Sequence, residues 1–321
     1  MKTREELRKK GQFWTPSWVA DAMVRYVAAD AKKIFDPGVG MGVFYSALKK
    51  FDPTKHFFGT DVDSEVLERA RSEGVLDSNA VVEVRDFILR PPKKSFDAIV
   101  ANPPYIRHHR LSTEYKEAFN KIGLRVMGKT IDGRAGLHIY FLIQALSLLR
   151  GGGRLAFIMP ADTCEGVFAD SLWAWISRNF QIEGAITFEP HATPFPGVDT
   201  NAIILLIRNA QPSKKMKWVR CRRAESEELM IFLENQLKLQ NRKFVDLEIF
   251  ERDLDEAMRT GLSRPPQEKG SNKFTLADFA ATKRGIATGA NEYFIFNQSK
   301  SKKFGILNFG KPAGICPTWG N

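Results

Sequence analysis

Across residues 15–30, TPSWVADAMVRYVAAD, apolar side chains recur at helical spacing: Val19, Met23 and Tyr26 or Val27. The spacing predicts a helix, with Thr15 as its cap and Pro16 in its first turn. The pattern then changes period. KIFD (33–36), HFFGTDV (56–62), AVVEVRD (80–86) and SFDAIVANPP (95–104) each contain a short apolar run of strand length. Helical patterns separate the first of them, VFYSALKK after a glycine turn and DSEVLERARSEG behind an aspartate cap. A long apolar helix is predicted over 137–150. Strands follow at 154–160, 182–188 and 201–209, with a helix over 171–180. Such nearly continuous apolar strands alternating with helices predict an α/β fold, a three-layer Rossmann-like sheet covered on both faces and mostly parallel. No helical pattern separates the strands at 182–188 and 201–209, so an antiparallel hairpin is expected at the sheet edge.

The patterning weakens near residue 210. KMKWVRC reads as one last strand and ESEELMIFLENQ as a helix, whereas 240–280 has little periodicity. This predicts a first domain over 1–240 and the start of a second over 241–321, whose last residues, FGKPAGICPTWGN, resemble no finishing element. Residues 106–135 carry no strand or helix assignment and are expected to form a long polar loop, a length at which loops are usually functional.

Charge adds a partner class. The net charge is +11. Residues 211–321 hold 20 Lys/Arg against 13 Asp/Glu, so +7 lies there and +4 in the first 210 residues. That balance suits a polyanion. Cys164, Cys221 and Cys316 lie far apart, which suits neither a disulfide framework nor a metal site. No apolar run reaches membrane-spanning length, and the basic start MKTREELRKKGQFW lacks the apolar stretch of a secretory signal, so a cytoplasmic protein is expected.

The candidate chemistry gathers where strands end. The turn PGVGMG (37–42) offers Gly38, Gly40 and Gly42, which let backbone approach a ligand. Asp61 ends the second strand, 19 residues after Gly42, where an acid can hold ribose hydroxyls. Its neighbour Asp63 reads as the cap of the next helix. Asp86 and Phe87 follow the third strand, where a carboxylate for an amine and an apolar wall would suit adenine. With Asp36, three successive strand ends carry a carboxylate, and ligands of such sheets bind outside the carboxyl ends. The glycine turn is not GxGxxG and lacks the lysine of a phosphate loop, so a nucleoside without a pyrophosphate fits best. The fourth strand ends in Asn102-Pro103-Pro104-Tyr105. Two prolines hold the backbone rigid and supply no N–H. The Asn102 side-chain oxygen and the Pro103 carbonyl can together accept both hydrogens of an –NH2 group, and Tyr105 can offer a flat face to a base.

With these motifs in this order, the chain resembles the S-adenosylmethionine-dependent DNA methyltransferases that modify the exocyclic amine of adenine, in the subgroup whose catalytic domain precedes the recognition domain. The resemblance is strong over roughly residues 10–210 and weaker over 280–295. It implies that Phe13, Thr15 and Pro16 stand by the methionine moiety of S-adenosylmethionine, together with Asp36, Gly38, Gly40 and Gly42. It implies Asp61, with Val62 beside it, at the ribose and Asp86 and Phe87 at the adenine. Asn102, Pro103, Pro104 and Tyr105 become the catalytic motif, with Asn102 also against the cofactor, and Phe195 an aromatic packed on a target base flipped out of duplex DNA. Arg107, His108, His109 and Arg110 become phosphate neighbours, and Lys283 and Arg284 backbone contacts at the opening of a recognition region that is expected to be truncated. A cognate restriction endonuclease or a separate specificity subunit is the implied protein partner. Two positions depart from the pattern: Gly38, where Ala or Ser is commoner, and the helix start at Leu137, where Gly136 and His138 replace an acidic residue and a tyrosine. The alternatives are a cofactor-binding fragment or subunit inactive without a partner recognition domain, and a methyltransferase of RNA or of a protein glutamine amide. The early Phe-x-Thr-Pro motif and the short stretch before Asp36 weigh against glutamine methylation.

Overall fold

The computed structural model describes residues 14–166, 168–197, 201–239 and 242–266. Phe13, Lys283, Arg284 and the expected recognition segment lie outside the described residues. The helices are α1 (Ser17–Ala28), α2 (Val43–Phe51), α3 (Ser64–Ser72), α4 (Thr113–Ile122), α5 (Leu137–Leu148), α6 (Ala169–Asn179), α7 (Glu227–Glu234) and α8 (Leu254–Thr260). The strands are β1 (Lys33–Asp36), β2 (His56–Asp61), β3 (Ala80–Val84), β4 (Phe96–Ala101), β5 (Leu149–Pro160), β6 (Gln181–Phe188), β7 (Ala202–Arg208), β8 (Lys215–Cys221) and β9 (Leu247–Asp253).

They form one sheet in the order β3-β2-β1-β4-β5-β7-β6-β8-β9. The strands from β3 to β5 pair in parallel. β7 runs antiparallel to both β5 and β6. The hairpin expected from the missing helix is therefore present, but it lies inside the sheet, because β8 pairs with β6 and β9 with β8. Strand alternation divides the core. Leu155, Phe157, Met159, Ile203, Leu205 and Ile207 join the buried cluster beneath α4, α5 and α6. Ala156, Ile158, Ala202, Ile204 and Leu206 join the cluster beneath α1, α2 and α7. Each fully buried aliphatic or aromatic side chain contributes roughly 1.5–3 kcal/mol, which is why central strands are apolar on both sides.

The sheet extends past residue 240, where the sequence suggested a boundary. Chain contacts define a first unit ending at Gln267. β9 escaped the periodicity reading because LEIFERD is an edge strand with three exposed positions. Its Arg252 is nonetheless 2% exposed. Arg252 forks onto Glu256 and donates to the carbonyls of Gly261 and Arg264, fixing the turn that leaves α8. Residues 106–135 are also more ordered than a loop. Ser112 caps α4 by accepting from the Tyr115 amide, and Phe119 stacks on Tyr140 with ring centroids 3.7 Å apart. The signal in the sequence was Tyr115, Phe119 and Ile122, an apolar stripe at helical spacing among polar residues.

After β1 the chain runs outward through β2 and β3, then returns to place β4 on the other side of β1. This reversal opens a crevice at the carboxyl ends of β1 and β4, the place where such sheets bind ligands. The turn above β1 depends on Gly42, which starts α2 at φ +81°. A Cβ on Gly42 would lie 2.8 Å from Leu76 Cδ2. Gly42→Ala should therefore destabilise the protein by roughly 2–4 kcal/mol, from left-handed backbone strain plus overpacking. Chemical denaturation read by circular dichroism checks this, and an unchanged midpoint would show that Leu76 and Val75 give way freely.

Candidate functional site

The crevice is a cavity of about 730 Å³, within the usual range for a small-molecule site. Its floor is the glycine turn. Asp36 ends β1 with 0% exposure, accepts the Gly38 N–H through Oδ1 at 2.9 Å, and leaves Oδ2 buried with no hydrogen-bond partner. Burial pushes its carboxyl up to about 8, with the nearby Asp61 adding to the rise. Gly40, at φ +51°, donates its N–H to Asp61 Oδ2 at 2.7 Å. Asp61 Oδ1 accepts the Asp63 amide at 2.9 Å. Burial raises the Asp61 carboxyl too, against the backbone amides that lower it. Asp63 caps α3, as its position suggested, by accepting from Val66 N at 3.3 Å. A side chain on Gly40 would meet the Trp14 ring at 3.2 Å, so the turn passes directly beneath that indole. Gly38 is less demanding: a Cβ there would sit 3.9 Å from the Asn102 carbonyl, an ordinary contact, so its departure from the family pattern leaves the turn intact.

The wall opposite comes from β3 and the helices after β4. Phe87 is 1% exposed, packed between Phe35 and Phe141. Asp86 Oδ1 accepts the amides of Ile88 and Leu89, both at 2.8 Å, and its Oδ2 accepts the Tyr115 hydroxyl. Burial and the Asp86 carboxylate both hold that phenol far above its ordinary titration range, so it stays a donor. Val62, 63% exposed, stands at the mouth.

The fourth strand end closes the site. Asn102, Pro103 and Pro104 line the cavity. Asn102 Nδ2 donates to Thr15 Oγ1 at 2.9 Å, and its Oδ1 accepts from the Tyr105 hydroxyl at 2.7 Å. Thr15 thus holds the asparagine amide instead of capping α1, whose N-cap is Pro16, with no side-chain hydrogen bond. The bond also fixes the amide orientation: the NH2 faces Thr15 and the oxygen faces Tyr105.

Residues 47–195 match the Eco57I restriction-modification methylase family. The chain is 25% identical over 309 residues to the Type II methyltransferase M.AccI of Acinetobacter calcoaceticus, covering 94% of this chain and 56% of the relative. It is 27% identical over 298 residues to M.XamI of Xanthomonas campestris pv. amaranthicola, covering 89% and 53%. The chain is similar to these restriction–modification methyltransferases. It spans about half the length of these two relatives. Among solved structures it is similar to a type I restriction-modification methyltransferase subunit from Streptococcus thermophilus, with TM-score 0.62 and 15% identity over 78% of this chain and 58% of that one. The type IIG restriction endonuclease BpuSI aligns with TM-score 0.64 and 16% identity over 80% and 33%. The fold is Rossmann-like, and a Listeria monocytogenes protein described as a class I S-adenosylmethionine-dependent methyltransferase aligns with TM-score 0.55 and 18% identity over 70% of this chain and 72% of that one.

Against the family pattern, the structure brings Thr15, Gly38, Gly40, Asp61, Val62, Asp86, Phe87, Asn102, Pro103 and Pro104 to one cavity. Asp36 lies beneath its floor and Gly42 behind it, starting α2. Tyr105 stands beside the cavity, its hydroxyl also 3.0 Å from the Ile158 carbonyl and its ring edge-on to His138. His138 Nε2 lies 3.0 Å from Thr163 Oγ1. Burial lowers the imidazole to about 4, which keeps it neutral near pH 7. Phe195 is 8% exposed and belongs to the buried cluster beneath α1 rather than to the cavity lining. Arg107, His109 and Arg110 are exposed and His108 half-buried, in a turn outside the cavity. The sequence reading did not single out Trp14, Met41, Arg85, Tyr115 and Phe141, all of which line the site. Trp14 sits inside the quoted GQFWTP motif, yet only the three-dimensional turn shows it over Gly40.

Proposed function

We propose that this chain carries the catalytic domain of a DNA methyltransferase that moves the methyl group of S-adenosylmethionine to the N6 amine of an adenine flipped out of duplex DNA. The observation that carries the reading is Asn102-Pro103-Pro104 at the mouth of a nucleoside-sized cavity, with the Asn102 oxygen oriented by Thr15 and Tyr105.

The residues present fit the cofactor. The buried, unpartnered Asp36 Oδ2 suits the ammonium of its methionine part. The Gly38–Gly40 turn leaves room for backbone approach, Asp61 suits the ribose hydroxyls, and Phe87 and Val62 suit the adenine. The cofactor supplies a methyl group made electrophilic by a sulfonium. Asp86 would hold the adenine amine only by sharing or exchanging the Tyr115 hydroxyl.

The target amine is recognised by acceptors. Asn102 Oδ1 and the Pro103 carbonyl accept its two N–H bonds and turn its lone pair toward the cavity. As positive charge grows on nitrogen, both acceptors bind it more strongly than they bind the neutral amine, which is the condition for catalysis. Tyr105 holds the same Asn102 oxygen, so an incoming amine would take over a bond already oriented for it. Extruding the base costs on the order of a few kcal/mol, offset by stacking against an aromatic face; Tyr105, hydrogen-bonded to Asn102, is the proposed face. Arg107 to Arg110, Phe195, Lys283 and Arg284 are proposed DNA-side residues that rest on the family resemblance, with a cognate endonuclease or specificity subunit as protein partner in the cytoplasm.

The test is transfer of labelled methyl from S-adenosylmethionine to unmethylated genomic DNA, followed by nucleoside digestion. Label in N6-methyladenine is the expected result. Label confined to RNA or protein, or cofactor binding with no transfer to any DNA, contradicts the proposal.

A further inference from the structure

Beside the cofactor cavity lies a second concavity of about 1080 Å³, framed by Arg85, Arg90, Lys93, Lys94, Arg125 and a single carboxylate, Glu83. Elsewhere in the described residues several cations are neutralised by neighbours: Lys50 by Asp21, Arg69 by Glu73, Lys215 by Glu251. Here, among the described residues, only Arg85 is, by Glu83 at 2.7 Å. Two others are held in place by groups that leave their charge intact. Arg125 donates to the buried side-chain oxygen of Gln144, and the Lys94 ammonium sits 3.6 Å from the centroid of the Phe58 ring. Arg90 and Lys93 flank Pro91 and Pro92, whose fixed φ limits the motion of the turn that displays them. Among the described residues, neither has an acidic partner for its side chain.

From this placement we infer that the groove binds the phosphate backbone of DNA, away from the base being modified. Cations fixed by an amide and an aromatic ring are positioned without being neutralised, which is what an anion site requires. A concave site lined mainly by positive charge focuses its field and draws in a polyanion. Guanidinium groups match phosphate oxygens in pairs. The groove is also too large for one phosphate, and Arg85 lines both it and the cofactor cavity. The choice of DNA rests on the methyltransferase reading; the anion chemistry does not.

Phosphate contacts position a duplex without reading its sequence, and each lost contact flattens the salt dependence of binding. Binding of a fluorescein-labelled mixed-sequence DNA duplex should be measured across a salt series with the full chain and with Arg90→Ala/Lys93→Ala. Both side chains are exposed, so the fold is not at stake, and cofactor binding checks it. Lys93→Glu serves as an independent variant. The double variant is expected to bind more weakly to every sequence, with the slope of log affinity against log salt shallower by about one per side chain removed. Unchanged affinity and slope in both variants overturns the groove, as does a loss seen with single-stranded RNA but not with duplex DNA. The two readings fail separately. Parent protein that binds DNA through these residues but transfers no methyl refutes the proposed reaction alone. Parent protein that methylates DNA with a slope indifferent to the variants refutes the groove alone.

Discussion

Asn102→Ala should lower kcat by roughly 10²–10³-fold or more while leaving cofactor affinity and melting temperature close to those of the parent. The substitution removes the acceptor that would gain most as charge grows on the target nitrogen. It leaves the Pro103 carbonyl, the glycine turn and Asp61 in place. The fold should tolerate the change, because the Tyr105 hydroxyl keeps a carbonyl at 3.0 Å on Ile158, and the lost bond to the buried Thr15 hydroxyl costs only about 1 kcal/mol. Single-turnover methyl transfer, titration calorimetry with the cofactor and a thermal melt separate these effects. Transfer within threefold of the parent would show that Asn102 does not hold the amine. A parallel collapse of cofactor binding would place its role in the cavity floor instead.

Asp36→Asn should have two opposite effects, the larger on stability. Asp36 is buried with one oxygen unpartnered, and its carboxyl is pushed from 3.8 to about 8. Between those values the folded state keeps a proton that the unfolded chain has released. The group therefore costs increasing stability as pH rises from about 4 to about 8, by up to about 4 kcal/mol near pH 7. Asparagine removes the titration and keeps an oxygen for the Gly38 N–H. The variant should melt above the parent near pH 8, with the gap closing toward pH 4. A gap independent of pH would contradict the assignment. Cofactor binding should move the other way. The proposed ammonium contact favours the carboxylate, so its loss should weaken binding by roughly tenfold to a hundredfold, the worth of a charged hydrogen bond. Unchanged affinity would remove Asp36 from the cofactor's surroundings.

Much of this architecture is legible in the chain because central strands report their environment twice, through apolar runs and through the turn residues at their ends. KIFD and KMKWVRC form strands with the same bounds that the pattern suggested, since each lies between clear breakers. β9 and α4 escaped for one reason: their apolar positions are diluted by exposed charges, and their stabilising contacts, Arg252 to Glu256 and Phe119 to Tyr140, join residues whose meeting no local period announces. The interior place of the β6–β7 hairpin was equally hidden, because the later strands that cover its outer side come from beyond the change in patterning.

By itself the sequence determined the βα alternation, the carboxylates at three strand ends and the Asn-Pro-Pro-Tyr motif, because these depend on short-range periodicity and on residue types adjacent in the chain. Tertiary structure alone decided which partner each polar atom takes. It turned Thr15 from a helix cap into the holder of Asn102, set Tyr105 on the Asn102 oxygen and Tyr115 on Asp86, and sank Phe195 into the core. Hydrogen bonds between residues far apart in the chain exist only once the sheet order has brought strand ends together, and burial, which raises Asp36 and leaves its second oxygen unpartnered, is a property of the packed layers and not of any residue in sequence.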